Sequence, residues 1–125
     1  MRTTILLLGA LLFALPSHAK TAKQLKDACA PANPDNKVAA ELLAMNCAGY
    51  VEAIADNIST TAVFENGKRL IAELKEQYTL GQLEDAFLLY INQHPELERH
   101  SACEVLFQAW SEHQMVNLVP QPNLK

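Results

Sequence analysis

Positive charge is scarce in this chain of 125 residues: ten Lys and Arg face fourteen Asp and Glu, for a formal net charge of −4. No basic stripe runs through it, so it has no electrostatic footprint for a nucleic-acid backbone or for an anionic membrane surface. Glycine is scarce too, at four residues, and none builds a phosphate-cradling loop. The histidines and cysteines do not fall in ligand order. His94 and His100 are separated by Pro95 and do not share a helix face. His100 does share one with Cys103 and Glu104, but a metal needs a convergent set of His, Cys and carboxylate donors. A nucleophilic pair drawn from Cys103 and His100 or His113 has no third group to orient it. The paired carboxylates Glu84–Asp85 and Glu96–Glu98 diverge on a helix. The sequence thus predicts no catalytic residue, no metal site and no cofactor.

Long apolar runs are also missing, with one exception at the N-terminus. Met1 and Arg2 give a positive start, Ile5–Leu15 carries no charge, Pro16 breaks the run, and Ser17-His18-Ala19 places small residues at a cleavage site. This pattern reads as a secretory signal peptide over residues 1–19, cut after Ala19. The run is far short of the roughly 20 residues a membrane-spanning helix needs, and no cysteine follows it to take a lipid. The expected product is exported, soluble and not inserted in a membrane. It is a single domain over 20–125 with its core at about 37–115, one charge unit more negative once Arg2 is removed.

All three cysteines, Cys29, Cys47 and Cys103, fall in this mature part. An odd count in an oxidising compartment leaves one pair and one remainder. Cys29 precedes a turn rich in Pro, Asn and Asp, and Cys47 lies on the apolar side of the following helix, so a Cys29–Cys47 bond would staple the N-terminal arm to that helix. Cys103 falls in an apolar stripe and reads as a core thiol, with an intermolecular bridge as the alternative.

Helical periods dominate the rest. Thr21–Cys29 is a short helix with Leu25 and Ala28 on one side, stopped by Pro31 and Pro34. Asp35 or Asn36 caps a long helix from Lys37 to Ser59, whose apolar face is Leu43, Cys47, Tyr50, Val51, Ile54 and Ile58. Gly49 within it suggests either a closely packed backbone or a tolerated helix glycine. Asn66-Gly67 is a turn. Lys68–Gln77 follows as a short helix on the spacing of Leu70 or Ile71, Leu74 and Tyr78, with a hairpin across Asn66-Gly67 as the alternative. Thr79 and Gln82 form a capping box for a helix ending at His94-Pro95. Pro95 opens the last helix, which carries Ala102, Cys103, Leu106, Ala109, Trp110 and His113 on its apolar stripe. Pro120 and Pro122 mark a loose tail. No segment alternates with period two over a convincing length. The expected fold is all-α, a compact bundle of four or five helices with a C-terminal antiparallel pair.

Two stretches, CAGYVEAIADN from Cys47 and TLGQLEDAFLLYINQHPELERHSACEVLFQAW from Thr79, resemble the Rap/Tai family of periplasmic immunity proteins. The likeness rests on Cys47, Gly49 and Tyr50, on Thr79 and Gln82, and on the Tyr90, His94, Pro95, Glu96 junction. The chain departs from the family in lacking a cysteine before the Thr79 helix and after the last one, and in a longer, more charged segment from Asn66 to Tyr78.

The resemblance implies a periplasmic protein that binds an amidase effector delivered by type VI secretion and blocks its cleft, so that peptidoglycan is spared. It also implies a homodimer and no enzymatic activity. For contact with the toxin, the charged connector offers Glu65, Asn66, Lys68 and Arg69, with Tyr78 at its end, Arg and Tyr being residue types favoured at interface hot spots. A second candidate is the junction Glu96, Glu98, Arg99. The rival reading is a small periplasmic acid-stress chaperone.

Overall fold

The computed structural model describes residues 19–31 and 36–121; most of the signal-peptide reading, and the choice of Asp35 as a cap, lie outside them. Among the described residues there are four α-helices: α1 (Ala22–Cys29), α2 (Lys37–Asp56), α3 (Leu80–Gln93) and α4 (Ala102–Glu112). Three strands, β1 (Ala62–Glu65), β2 (Lys68–Leu74) and β3 (Val116–Pro120), form an antiparallel sheet in the order β1-β2-β3. The all-α expectation is therefore overturned, and the fold is mixed α/β.

Helix starts follow local chemistry. Thr21 and Thr79 each close a capping box, with Gln24 and with Gln82, so two otherwise unpaired donors are satisfied at each end. Asn36 caps α2 by accepting from Val38 and Ala39. That helix is shorter than its apolar spacing implied: it ends at Asp56, and Ile58–Thr60 forms one turn of 3-10 helix. Gly49 has nothing within 4 Å of where a Cβ would stand, so it is a tolerated helix glycine and no backbone packs against it. The helix expected to open at Pro95 is instead a 3-10 turn over Pro95–Arg99, followed by a fresh helix after Ser101.

Where a helix was read from Lys68, the chain makes a hairpin. Asn66 and Gly67 have φ of 51° and 75°, the two positive values a two-residue type I′ turn requires. They join Glu65 to Lys68 and align Phe64 with Arg69 and Ala62 with Ile71. On β2, Leu70, Ala72 and Leu74 face the core side, while Arg69, Ile71 and Glu73 face outward. The expected loose tail is β3, paired with β2 from Leu74↔Val116 to Leu70↔Pro120. Gln114, at φ 58°, turns the chain from α4 into it. As an outer strand, β3 tolerates its proline, which has no N–H to give.

The core gathers one face from every helix. Its largest fully buried side chains include Trp110, Phe87, Leu25, Ile91, Leu106 and Val51. The Trp110 indole N–H donates to the Leu83 carbonyl at 3.0 Å, so the polar edge of the ring is satisfied; since Trp110 ends α4 and Leu83 begins α3, the two helices run in opposite senses. Ala22, Leu25 and Ala28 bring α1 into the same core. The Ala22 N–H donates to the His100 carbonyl at 2.8 Å and the Ala102 N–H to Lys20 at 2.9 Å. Cys29 and Cys47 are bonded, with Cα atoms 5.0 Å apart, and Cys47 is 1% exposed. Cys103 is exposed, which corrects its reading as a core thiol. It lies one position from Ala102 and two from Val105, both fully buried, and a step of one residue on a helix turns a side chain by about 100°.

Candidate functional site

The β1–β2 hairpin tip is exposed throughout, from Phe64 to Arg69. Its shape is fixed by the backbone, because the type I′ turn matches the twist of the flanking strands and the antiparallel ladder holds both arms in register. Phe64 is 74% exposed, and its cross-strand partner is Arg69. An aromatic ring and a guanidinium therefore stand side by side on the outward face, with Glu65, Asn66 and Lys68 closing the tip. Aromatic and Arg side chains dominate protein–protein hot spots, and a preformed hairpin loses little freedom when it docks. Phe64 was missed in the sequence because Phe-Glu-Asn-Gly reads as turn, and nothing local says that the ring will find no core.

Tyr78 does not join this tip. It is half-buried in the connection from β2 to α3, where burial and, after it, the neighbouring Glu76 carboxylate push its phenol above the usual range.

The Pro95–Arg99 turn is a third, separate place. Glu98 is turned toward the body and pairs with Lys26 at 3.0 Å, tying the turn to α1. Glu96 bonds the His94 ring at 3.1 Å, and its carboxyl is held below the ordinary range, first by its own backbone hydrogen bond and then by His94. His94 in turn leans on Tyr90, with ring centroids 4.5 Å apart. Of the three junction candidates only Arg99 is exposed without an ion pair among the described residues. The junction is thus chiefly an internal brace, while the hairpin presents free side chains.

A further exposed surface runs along the first half of α2. Val38, Leu42 and Met45 are 66%, 62% and 70% exposed, and steps of four and three residues put them on one stripe. Leu43, expected on the buried face, is itself partly exposed at 37%. By length and composition α2 could cross a membrane, but Cys47 and Val51 fix its second half in the core.

Among the described residues, no three His, Cys, Asp or Glu side chains converge as metal ligands, and every buried side-chain polar atom has a partner. In comparisons with known proteins, a family model described as Rap1a immunity proteins matches residues 21–113. No curated protein and no solved structure matches the chain.

Proposed function

Because the chain belongs to the Rap1a immunity proteins, a family that implies binding of a cognate toxin, we propose that it acts in the periplasm, without catalysis of its own, against a peptidoglycan amidase delivered by type VI secretion. In this reading the hairpin tip enters the amidase cleft and excludes the peptide stem. The observation that carries it is the exposed tip, held in register by the strand ladder, with Phe64 paired to Arg69. Occlusion of this kind needs shape and anchors and no reacting group. An apolar-plus-charged wedge also fits a groove that is built for a peptide. The leader-like sequence pattern over residues 1–19 and the Cys29–Cys47 bond favour an exported, oxidising location. The family match displaces the acid-stress chaperone alternative.

The test is to purify the wild type and the Glu65→Ala/Lys68→Ala/Arg69→Ala variant with a co-secreted amidase. The variant is expected to bind at least tenfold more weakly, which is about 1.4 kcal/mol, with an unchanged melting temperature, since all three side chains are exposed. Unchanged affinity removes the hairpin from the interface. Lysis of cells that express the amidase in the periplasm together with the wild type, with no complex on gel filtration, removes the amidase.

The homodimer implied by the family likeness finds its support on α2. A stripe of three large apolar side chains in solvent is the kind of patch that marks an interaction site, and a helix pairing with its own copy about a twofold axis buries both stripes at once. Leu42→Glu is expected to convert the dimer to a monomer in sedimentation velocity while the fold is kept. A species of the same mass before and after the change would exclude this face.

A further inference from the structure

At the end of β2 opposite the hairpin, the surface opens into two adjoining hollows. The larger, of about 590 Å³, lies between the second half of α2 and the start of α3. Leu74, Leu80 and Leu83 form its apolar walls, and Glu52, Asp56 and Glu76 its acidic ones. The smaller, of about 380 Å³, is lined by Ala86, Leu89 and Met115, with Asp85 and His113 also facing it. Tyr78 borders both, so the two hollows share that residue. None of the four carboxylates forms an ion pair among the described residues. The four carboxylates give the hollows an acidic rim over an apolar floor, and a cationic group with an apolar stem complements both.

We propose that this double hollow is a docking groove for an extended protein segment that carries a basic residue followed, two positions later, by an apolar one. A lysine or arginine side chain combines an aliphatic stem with a cationic head. The stem lies over Leu74 and Leu80, and the head reaches Glu52, Asp56 and Glu76. On an extended chain alternate side chains share one face and stand roughly 6.5–7 Å apart, which suits two hollows that meet at one residue. The second side chain packs against Leu89 and Met115. The acidic rim also speeds encounter with a basic partner and makes binding sensitive to salt. This groove adds a second recognition element that does not depend on the identity of the toxin.

The probe is the capped peptide acetyl-Ser-Arg-Ser-Leu-Ser-amide, titrated into the full mature protein with methyl-labelled Leu and Met and followed by NMR. Saturable shifts are expected at Leu74, Leu80, Leu89 and Met115. Affinity should fall at least fivefold in Glu52→Gln/Asp56→Asn/Glu76→Gln, and equally when the peptide's arginine is replaced by glutamate. The three substituted positions are exposed, so the variant keeps its fold. The hairpin triple-alanine variant should bind the peptide like the wild type, which separates this outcome from that of toxin occlusion. Absent or non-saturating shifts, or binding retained after either charge change, would overturn the proposal.

Discussion

Replacing Cys29 and Cys47 together by serine is expected to lower the unfolding free energy by about 3 kcal/mol and the melting temperature by roughly 12–15 °C. The bond spans 18 positions, and on the chain-entropy account a loop of this length confines the unfolded chain by about that amount. The consequence is sharpened by what α1 carries. Ala22, Leu25 and Ala28 are core residues, but a helix of eight residues is too short to persist by itself. It is held by its packing, by the Lys26–Glu98 pair and by the bond to Cys47. Thermal melting of the double variant, and of the wild type with reductant, should give the same loss, whereas Cys103→Ser, at an exposed thiol, should leave the transition where it was. A double variant melting within a few degrees of the wild type would mean that α1 is secured by packing alone.

Trp110→Ala is expected to cost about 3–5 kcal/mol, the largest single-residue effect in the molecule and a large part of the 5–15 kcal/mol that holds a typical domain together. The ring is fully buried and joins α4 to α3 through the hydrogen bond to Leu83. Trp110→Phe separates the two contributions. It keeps most of the apolar contact and loses the indole donor and part of the ring, for about 1–2 kcal/mol. Urea denaturation of both variants would measure the ranking. A phenylalanine variant as unstable as the alanine one would place the energy in the hydrogen bond, and an alanine variant near wild type would refute the role of Trp110 as the core's anchor.

Helix starts at Lys37 and Leu80 could be read from the choice of Asp35 or Asn36 and from Thr79, because a cap is a local contact, settled within three or four residues. The Cys29–Cys47 pairing was legible for a similar reason, since Cys29 precedes a Pro-, Asn- and Asp-rich stretch that reads as a turn and Cys47 lies on the apolar side of the helix after it. The sheet was not. Its central strand hides its alternation: Leu70, Ala72 and Leu74 point inward, but Ala72 is small and Ile71 faces out, so Leu70 or Ile71 with Leu74 imitates a helical step. β3 was concealed by Pro120 and by the absence of any pattern in Val-Asn-Leu-Val-Pro, because an outer strand takes its order from the neighbour it pairs with. The Asn66-Gly67 dipeptide did carry the hairpin signal, as the alternative to a helix. At the candidate site, Glu65, Asn66, Lys68 and Arg69 were found from charge and turn chemistry, while Phe64 needed the fold to show its exposure. Tyr78 was named as a contact residue and belongs to a different surface from the tip.

The pairing of β2 with β3 sets the order in which the protein can come into being. Leu70 meets Pro120 and Leu74 meets Val116, and at the other end of the molecule Thr21 bridges Ser101. Both the first helix and the central strand thus wait for partners near the end of the chain. Until synthesis has passed Pro120, β2 lacks one of its two neighbours, and contacts so distant in sequence form slowly. Local pairing across Asn66-Gly67 can come first, but the central strand gains its second neighbour only in the last step of sheet assembly.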